Sequence, residues 1–231
     1  MDSVYNNLYF EIYALMSLDF AYPWYSQYMF KSERPDWQND VSNIGLEITQ
    51  ATNKHLGYTR AFTNKYLGKN RAEIPDKEIN SFWGELFFDD KDKLFATSDS
   101  RGLVEGTRHI ALAINSVGNK LQLLNSPHFH RFSENELYLF FGNSIIDDDI
   151  DKFIAQYAII EKDYPHKYSR LYLFDNNAIY TVSTKNDSIE KYTFTNSELV
   201  KLKQNSQLLC AVHTWRDGDS YEEVKQTVPI C

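Results

Sequence analysis

Ile44-Gly45-Leu46-Glu47-Ile48-Thr49-Gln50 is the stretch on which the reading of this chain turns. Ile44, Leu46 and Ile48 alternate with Gly45, Glu47 and Thr49. A period of two marks a β-strand, whose successive side chains point to opposite faces of a sheet. Glu47 therefore leaves the isoleucine face and shares a side with Thr49 and with the bare backbone of Gly45. A glycine within a strand leaves room for something to approach closely, so open space is expected beside Glu47. Just upstream stands Glu33-Arg34-Pro35-Asp36-Trp37. Pro35 fixes its own φ and biases Arg34 toward extended geometry, which puts Asp36 in a defined turn or at a strand start. Two convergent carboxylates suit a hard divalent cation with oxygen ligands, magnesium by default.

Working outward, Val4, Leu8, Ile12, Leu15 and Phe20 are spaced mostly three to five apart, which predicts an amphipathic helix over about 4–20 carrying Glu11. Ile110, Ile114, Val117, Leu121 and Leu124 make one apolar stripe and predict a helix over about 103–124, stopped by Pro127. Glu136 to Phe141 reads as a buried strand ended by Gly142. Asp147 to Asp151 open another helix, as acids in a first turn suit its dipole. Arg170–Phe174 and Ala178–Val182, joined by Asp175-Asn176-Asn177, predict a hairpin, because Asn tolerates left-handed geometry. Ile189–Phe194 adds a strand, and Ser197-Glu198 begins a short helix through Leu202. Trp83, Leu86 and Phe87 predict a short helix between loops at Pro75 and Asp89-Asp90-Lys91-Asp92. From Val212 on no pattern is legible. Strands alternating with helices and ending in a hairpin predict an α/β fold, a central mixed sheet flanked by helices.

Composition narrows the function classes. The 231 residues suit one domain, and 16 Tyr with 15 Phe supply ample core. Nine Gly and six Pro exclude a collagen-like or low-complexity chain. A net charge of −8 argues against coating nucleic acid through bulk positive charge, while leaving room for a local basic groove. Cys210 and Cys231 read as unpaired thiols of a reducing cytoplasm rather than a disulfide framework. Met1-Asp2-Ser3-Val4 lacks the features of a secretory leader, and no apolar run approaches the ~18 residues of a membrane span, so a cytoplasmic protein without membrane contact is expected. His109, His128 and His130 lack zinc-like spacing, and the Asp147–Asp151 run lacks the glycine and terminal glutamate of a calcium loop. There is no Gly-rich phosphate loop and no Gly-x-Ser-x-Gly elbow, and Cys210 with His213 has no context for thiol catalysis.

The order of motifs is a helix with Glu11, Pro35-Asp36, the strand Gly45-Leu46-Glu47-Ile48-Thr49, a long helix with Lys120-Leu121, and the strand Glu136 to Phe141. Over roughly residues 5–140 this resembles the PD-(D/E)xK nuclease superfamily, and looks closest to divergent bacterial members carrying PD…IGIEVT. The eleven-residue separation of Asp36 and Glu47 matches the superfamily's hairpin spacing. The resemblance implies a restriction-endonuclease-like fold filling residues 1–231, with a core over about 5–183 and a C-terminal extension over about 184–231. It implies Mg²⁺, with Mn²⁺ as a substitute, held by Asp36 and Glu47, and Glu11 as the helix acid completing the site. The chain departs from the signature at Thr49, two residues after Glu47, where the family has lysine. Lys120 is the expected replacement, with Lys54 as the alternative and Gln50 as a further polar contact. The expected activity is metal-dependent phosphodiester hydrolysis of nucleic acid, DNA ahead of RNA, in restriction or anti-phage defence. The alternative is a non-catalytic protein on the same fold that binds nucleic acid or a protein partner, as immunity or antitoxin proteins do. Thr49 and the acidic net charge point that way.

Overall fold

The computed structural model describes residues 3–51, 61–63, 65–82, 85–98, 108–141 and 147–228. The chain opens with helix α1 (Ser3–Ala21), followed by strands β1 (Phe30–Lys31), β2 (Trp37–Asn39) and β3 (Ile44–Ala51). A small helix α2 (Asp76–Ser81) and a hairpin of β4 (Glu85–Phe88) and β5 (Leu94–Ser98) come next. Helix α3 (Arg108–Leu124), strand β6 (Glu134–Phe141) and helix α4 (Asp147–Ile160) lead to strands β7 (Arg170–Phe174), β8 (Ala178–Ser183) and β9 (Ser188–Thr193). Helices α5 (Asn196–Val212) and α6 (Tyr221–Thr227) complete the described chain.

Seven strands form one mixed sheet in the order β1-β2-β3-β6-β7-β8-β9. β3, β6 and β7 run parallel, and the other neighbours are antiparallel. Each parallel step needs a crossover, and α3 and α4 supply them. Alternation along the strands sorts side chains into two cores. Leu46, Ile48, Tyr138, Phe140, Tyr172 and Phe174 pack with α1, α5 and α6. Leu137, Leu139, Leu171 and Leu173 pack on the other face with Ile110, Val117, Leu121, Ile150 and Phe153 of α3 and α4. The result is an α/β architecture of three layers. The stretch beyond residue 184 is part of it, since β9 joins the sheet while Leu202, Leu209, Tyr221 and Val224 are buried in the first core.

The expected strands at 44–50, 136–141, 170–174 and 178–182 and the helices around Glu11, Ile114 and Phe153 are all present. Two expectations need correction. Leu86 and Phe87 lie in a strand, not a helix, because β4 pairs with β5, a partner that periodicity does not reveal. The helix expected to end at Leu202 continues to Val212. Its start is set by Thr195, whose hydroxyl takes the Glu198 N–H at 3.2 Å while Glu198 takes the Thr195 N–H at 2.7 Å. Its buried side includes Asn205 and Ser206, polar residues that hide the apolar stripe. Trp83, Gly142, Cys231 and residues 103–107 fall outside the described residues. Among the described residues no helix is long and apolar enough to cross a membrane.

Candidate functional site

The β2–β3 hairpin brings the two motif acids together. Trp37 pairs with Leu46, so one further step of the register sets Asp36 across from Glu47. Asp36 Oδ2 accepts the Ile48 N–H at 2.7 Å, which anchors its carboxylate where the β2 ladder ends. Glu47 lies in the middle of β3, paired with Leu137 of β6, and its side chain is only 3% exposed. It faces α3, from which the Lys120 ammonium donates to Glu47 Oε1. Among the described residues Glu47 Oε2 is buried and accepts no hydrogen bond.

Helix α3 is held in register against the sheet. The Ser116 hydroxyl donates to the Gln50 carbonyl at 3.1 Å, one turn before Lys120. The Tyr168 hydroxyl donates to the Lys120 carbonyl at 3.0 Å. The Lys120 side chain keeps 22% of its surface, against 3% for Glu47. Glu11 on α1 reaches the same place, with Oε2 at 3.2 Å from Lys31 Nζ. Lys31 in turn donates to the Ser32 carbonyl at 2.5 Å and to the Asp36 carbonyl at 3.3 Å, tying Glu11 to the Asp36 turn.

Charge in this cluster is unbalanced, with three acids facing two lysines. Burial holds the Asp36 carboxyl well above the usual carboxylate range, and Glu47 and Glu11 push it further up. Burial also raises Glu47, against the opposing pull of Lys120. For Lys120, burial pulls the amine down, but Glu47 and Asp36 outweigh it and the net shift is upward. These directions share one cause, a desolvated surplus of negative charge. The uncommitted Glu47 oxygen and that surplus suit a cation with oxygen ligands. Among the described residues no group of three or more His, Cys, Asp or Glu side chains is gathered as a metal site, so the arrangement is a carboxylate pair with a lysine.

Asp36, Glu47 and Lys120, expected from sequence, are therefore brought together, while Glu11 is held by Lys31 and acts on the two acids through its charge. The open space expected beside Gly45 is absent. A Cβ built there would meet Phe132 Cδ2 at 2.6 Å and Pro35 Cγ at 2.7 Å, so the glycine serves close packing instead. Gln50 falls on the opposite face from Glu47 and lines a pocket there. Lys54 lies outside the described residues. Sequence reading missed Lys31 and Tyr168, and no local signal marks either, because both act through contacts distant in the chain. His109 pairs with Asp149 at 3.2 Å, and His128 and His130 are exposed. Comparison with protein-family models, characterised proteins and solved structures finds no match for this chain.

Proposed function

We propose that this protein is a nuclease of the PD-(D/E)xK type on a restriction-endonuclease-like fold, hydrolysing phosphodiesters of nucleic acid with Mg²⁺. The observation that carries the reading is the buried Glu47, with one oxygen on Lys120 and the other unpartnered among the described residues, directly across from Asp36. Asp36 and Glu47 would hold the ion, which when bound supplies a lower water pKa and neutralises charge developing on the phosphate. The Ile48 N–H orients the Asp36 carboxylate toward the pair. Lys120 keeps its proton at neutral pH, since its acid neighbours raise its pKa. It therefore serves as a cation and proton donor toward the phosphate rather than as the base. Glu11 acts from one step away, held by Lys31, and adds negative charge that favours the ion. DNA is the preferred substrate and restriction or anti-phage defence the proposed setting, both from the family resemblance alone.

The test is cleavage of plasmid and single-stranded DNA in Mg²⁺ by the wild type and Glu47→Ala, with circular dichroism reporting the fold. Loss of cleavage in a folded variant supports the reading, and unchanged cleavage overturns it. One observation favours a second reading, a non-catalytic binding protein. Glu47 and Glu11 each already face a lysine, so much of their charge is compensated internally. On that reading Mg²⁺ and Mn²⁺ leave the melting temperature unmoved, whereas an ion-binding site raises it by linkage.

A further inference from the structure

The carboxyl ends of the parallel strands border a second feature that the cleavage site leaves unused. There, on the α1 and α5 side of the sheet, lies a cavity of about 360 Å³. Crevices at the carboxyl ends of strands are where open α/β sheets take ligands. Tyr9, Phe10 and Tyr13 of α1 wall it on one side, and Phe140 and Phe174 of β6 and β7 form its floor. Their rings meet edge to face rather than stacked, with Phe10 and Phe140 centroids at 5.1 Å and Tyr13 and Phe174 at 5.5 Å. The lining is not purely apolar. The Gln50 amide enters from β3, and the Lys203 ammonium stands on exposed α5. Burial raises the Tyr9 and Tyr13 phenols, which keeps both neutral hydroxyl donors.

We propose that this pocket binds a nucleobase with its 5′-phosphate, as the subsite for an unstacked nucleotide of the strand held at Asp36 and Glu47; this rests on the nuclease reading of that site. Aromatic walls take the face of a base, and an amide pairs with a base edge through one donor and one acceptor. A lone lysine at the rim suits a phosphate and not an aliphatic chain. Gln50 lies three residues beyond Glu47 on β3 and on the opposite face of the sheet, so a strand held at the acid pair turns around the sheet rim to reach the pocket. Helix α1 spans both places, presenting Glu11 to the acid pair and Tyr9 and Tyr13 to the pocket. A base still stacked in a duplex cannot enter such a pocket, so the substrate class is single-stranded nucleic acid or a duplex with an extruded base.

The experiment is a titration of the four 5′-deoxynucleoside monophosphates, and of the phosphate-free nucleosides, into the full chain in EDTA. Tyrosine fluorescence or calorimetry reads binding. Saturable binding is expected for the monophosphates, weakened about tenfold or more for the nucleosides and for Lys203→Glu, and lost in Tyr9→Ala with an unchanged melting curve. Absence of saturable binding by the wild type overturns the proposal, as does wild-type affinity in both variants. The double variant Asp36→Asn/Glu47→Gln separates the two readings. It is expected to bind monophosphates as the wild type does while losing cleavage. Mg²⁺-dependent cleavage without monophosphate binding sinks the pocket alone. Binding without any cleavage leaves a nucleotide pocket and sinks the nuclease reading.

Discussion

Two buried glutamates on neighbouring strands differ in how their carboxylates are partnered. Glu47 of β3 is 2% exposed and Glu136 of β6 is 1% exposed. The register sets Leu46 beside Glu136 and Glu47 beside Leu137, so the two carboxylates leave the sheet on opposite faces. Burial raises the pKa of both. Their partners differ. Glu136 Oε1 takes Arg170 at 2.8 Å, and Oε2 takes the Tyr172 hydroxyl at 2.9 Å and the Tyr25 hydroxyl as well. Glu47 has Lys120 on one oxygen and, among the described residues, no donor on the other. A buried acid with both oxygens engaged is a packing device. One left half-engaged keeps a desolvation cost that a bound cation or a proton offsets.

The comparison can be broken in several ways. Glu47→Ala is expected to lower Mg²⁺-dependent cleavage on the order of 10³-fold or more, the scale of losing one group that stabilises the transition state. A folded Glu136 variant is expected to keep cleavage, and equal losses at both positions would erase the distinction. For stability the ranking reverses. Glu136→Ala leaves two tyrosine hydroxyls without their acceptor and half-exposed Arg170 without its carboxylate, and urea unfolding is expected to show a loss of about 1–3 kcal/mol. Glu47→Gln retains an acceptor for Lys120 and removes surplus charge, so its change is expected to stay within about 1 kcal/mol.

Metal linkage gives a smaller effect. On the nuclease reading, at a Mg²⁺ concentration of about 100 Kd the wild type is expected to gain roughly 2.7 kcal/mol, read as a rise in melting temperature. Asp36→Asn/Glu47→Gln is expected not to respond. The pH dependence of the metal-free protein is subtler. An acid whose folded pKa is raised binds more protons folded than unfolded, so stability rises as pH falls through the window between the folded pKa and the ordinary glutamate range. Glu47 and Glu136 both shift that way, and metal-free stability is expected to climb as pH is lowered from neutrality toward that range. Glu47→Gln should flatten part of the climb, and an unaltered profile in that variant would deny its buried charge a role. Least of all, Tyr168→Phe removes the hydrogen bond to the Lys120 carbonyl, which costs about 1 kcal/mol. If Tyr168 positions Lys120, kcat falls while KM holds.

Which parts were legible follows from the range of the forces involved. The alternation at Ile44, Leu46 and Ile48 and the stripe from Ile110 to Leu124 are local patterns, and both elements stand where those patterns put them. Leu86 and Phe87 carry the same residue types in too short a run, and only pairing with β5 makes them a strand. Asn205 and Ser206 face inward on α5, so its periodicity is masked and its length was underestimated. At the site, the acids announced themselves as charges in unusual places. Gly45 misled, since the space its missing side chain frees is filled by Phe132 and Pro35 from elsewhere in the chain.

The sequence alone determined the α/β class, the strand that carries Glu47, the turn that carries Asp36 and the helix that carries Lys120. Periodicity and turn chemistry act over a few residues, and each segment states its own preference. Tertiary structure alone decided that Lys120 sits on Glu47 across 73 positions of chain, that Lys31 secures Glu11, and that Tyr168 pins the end of α3. Those contacts form only when sheet order and helix packing close the distance, and desolvation then raises the pKa of both acids.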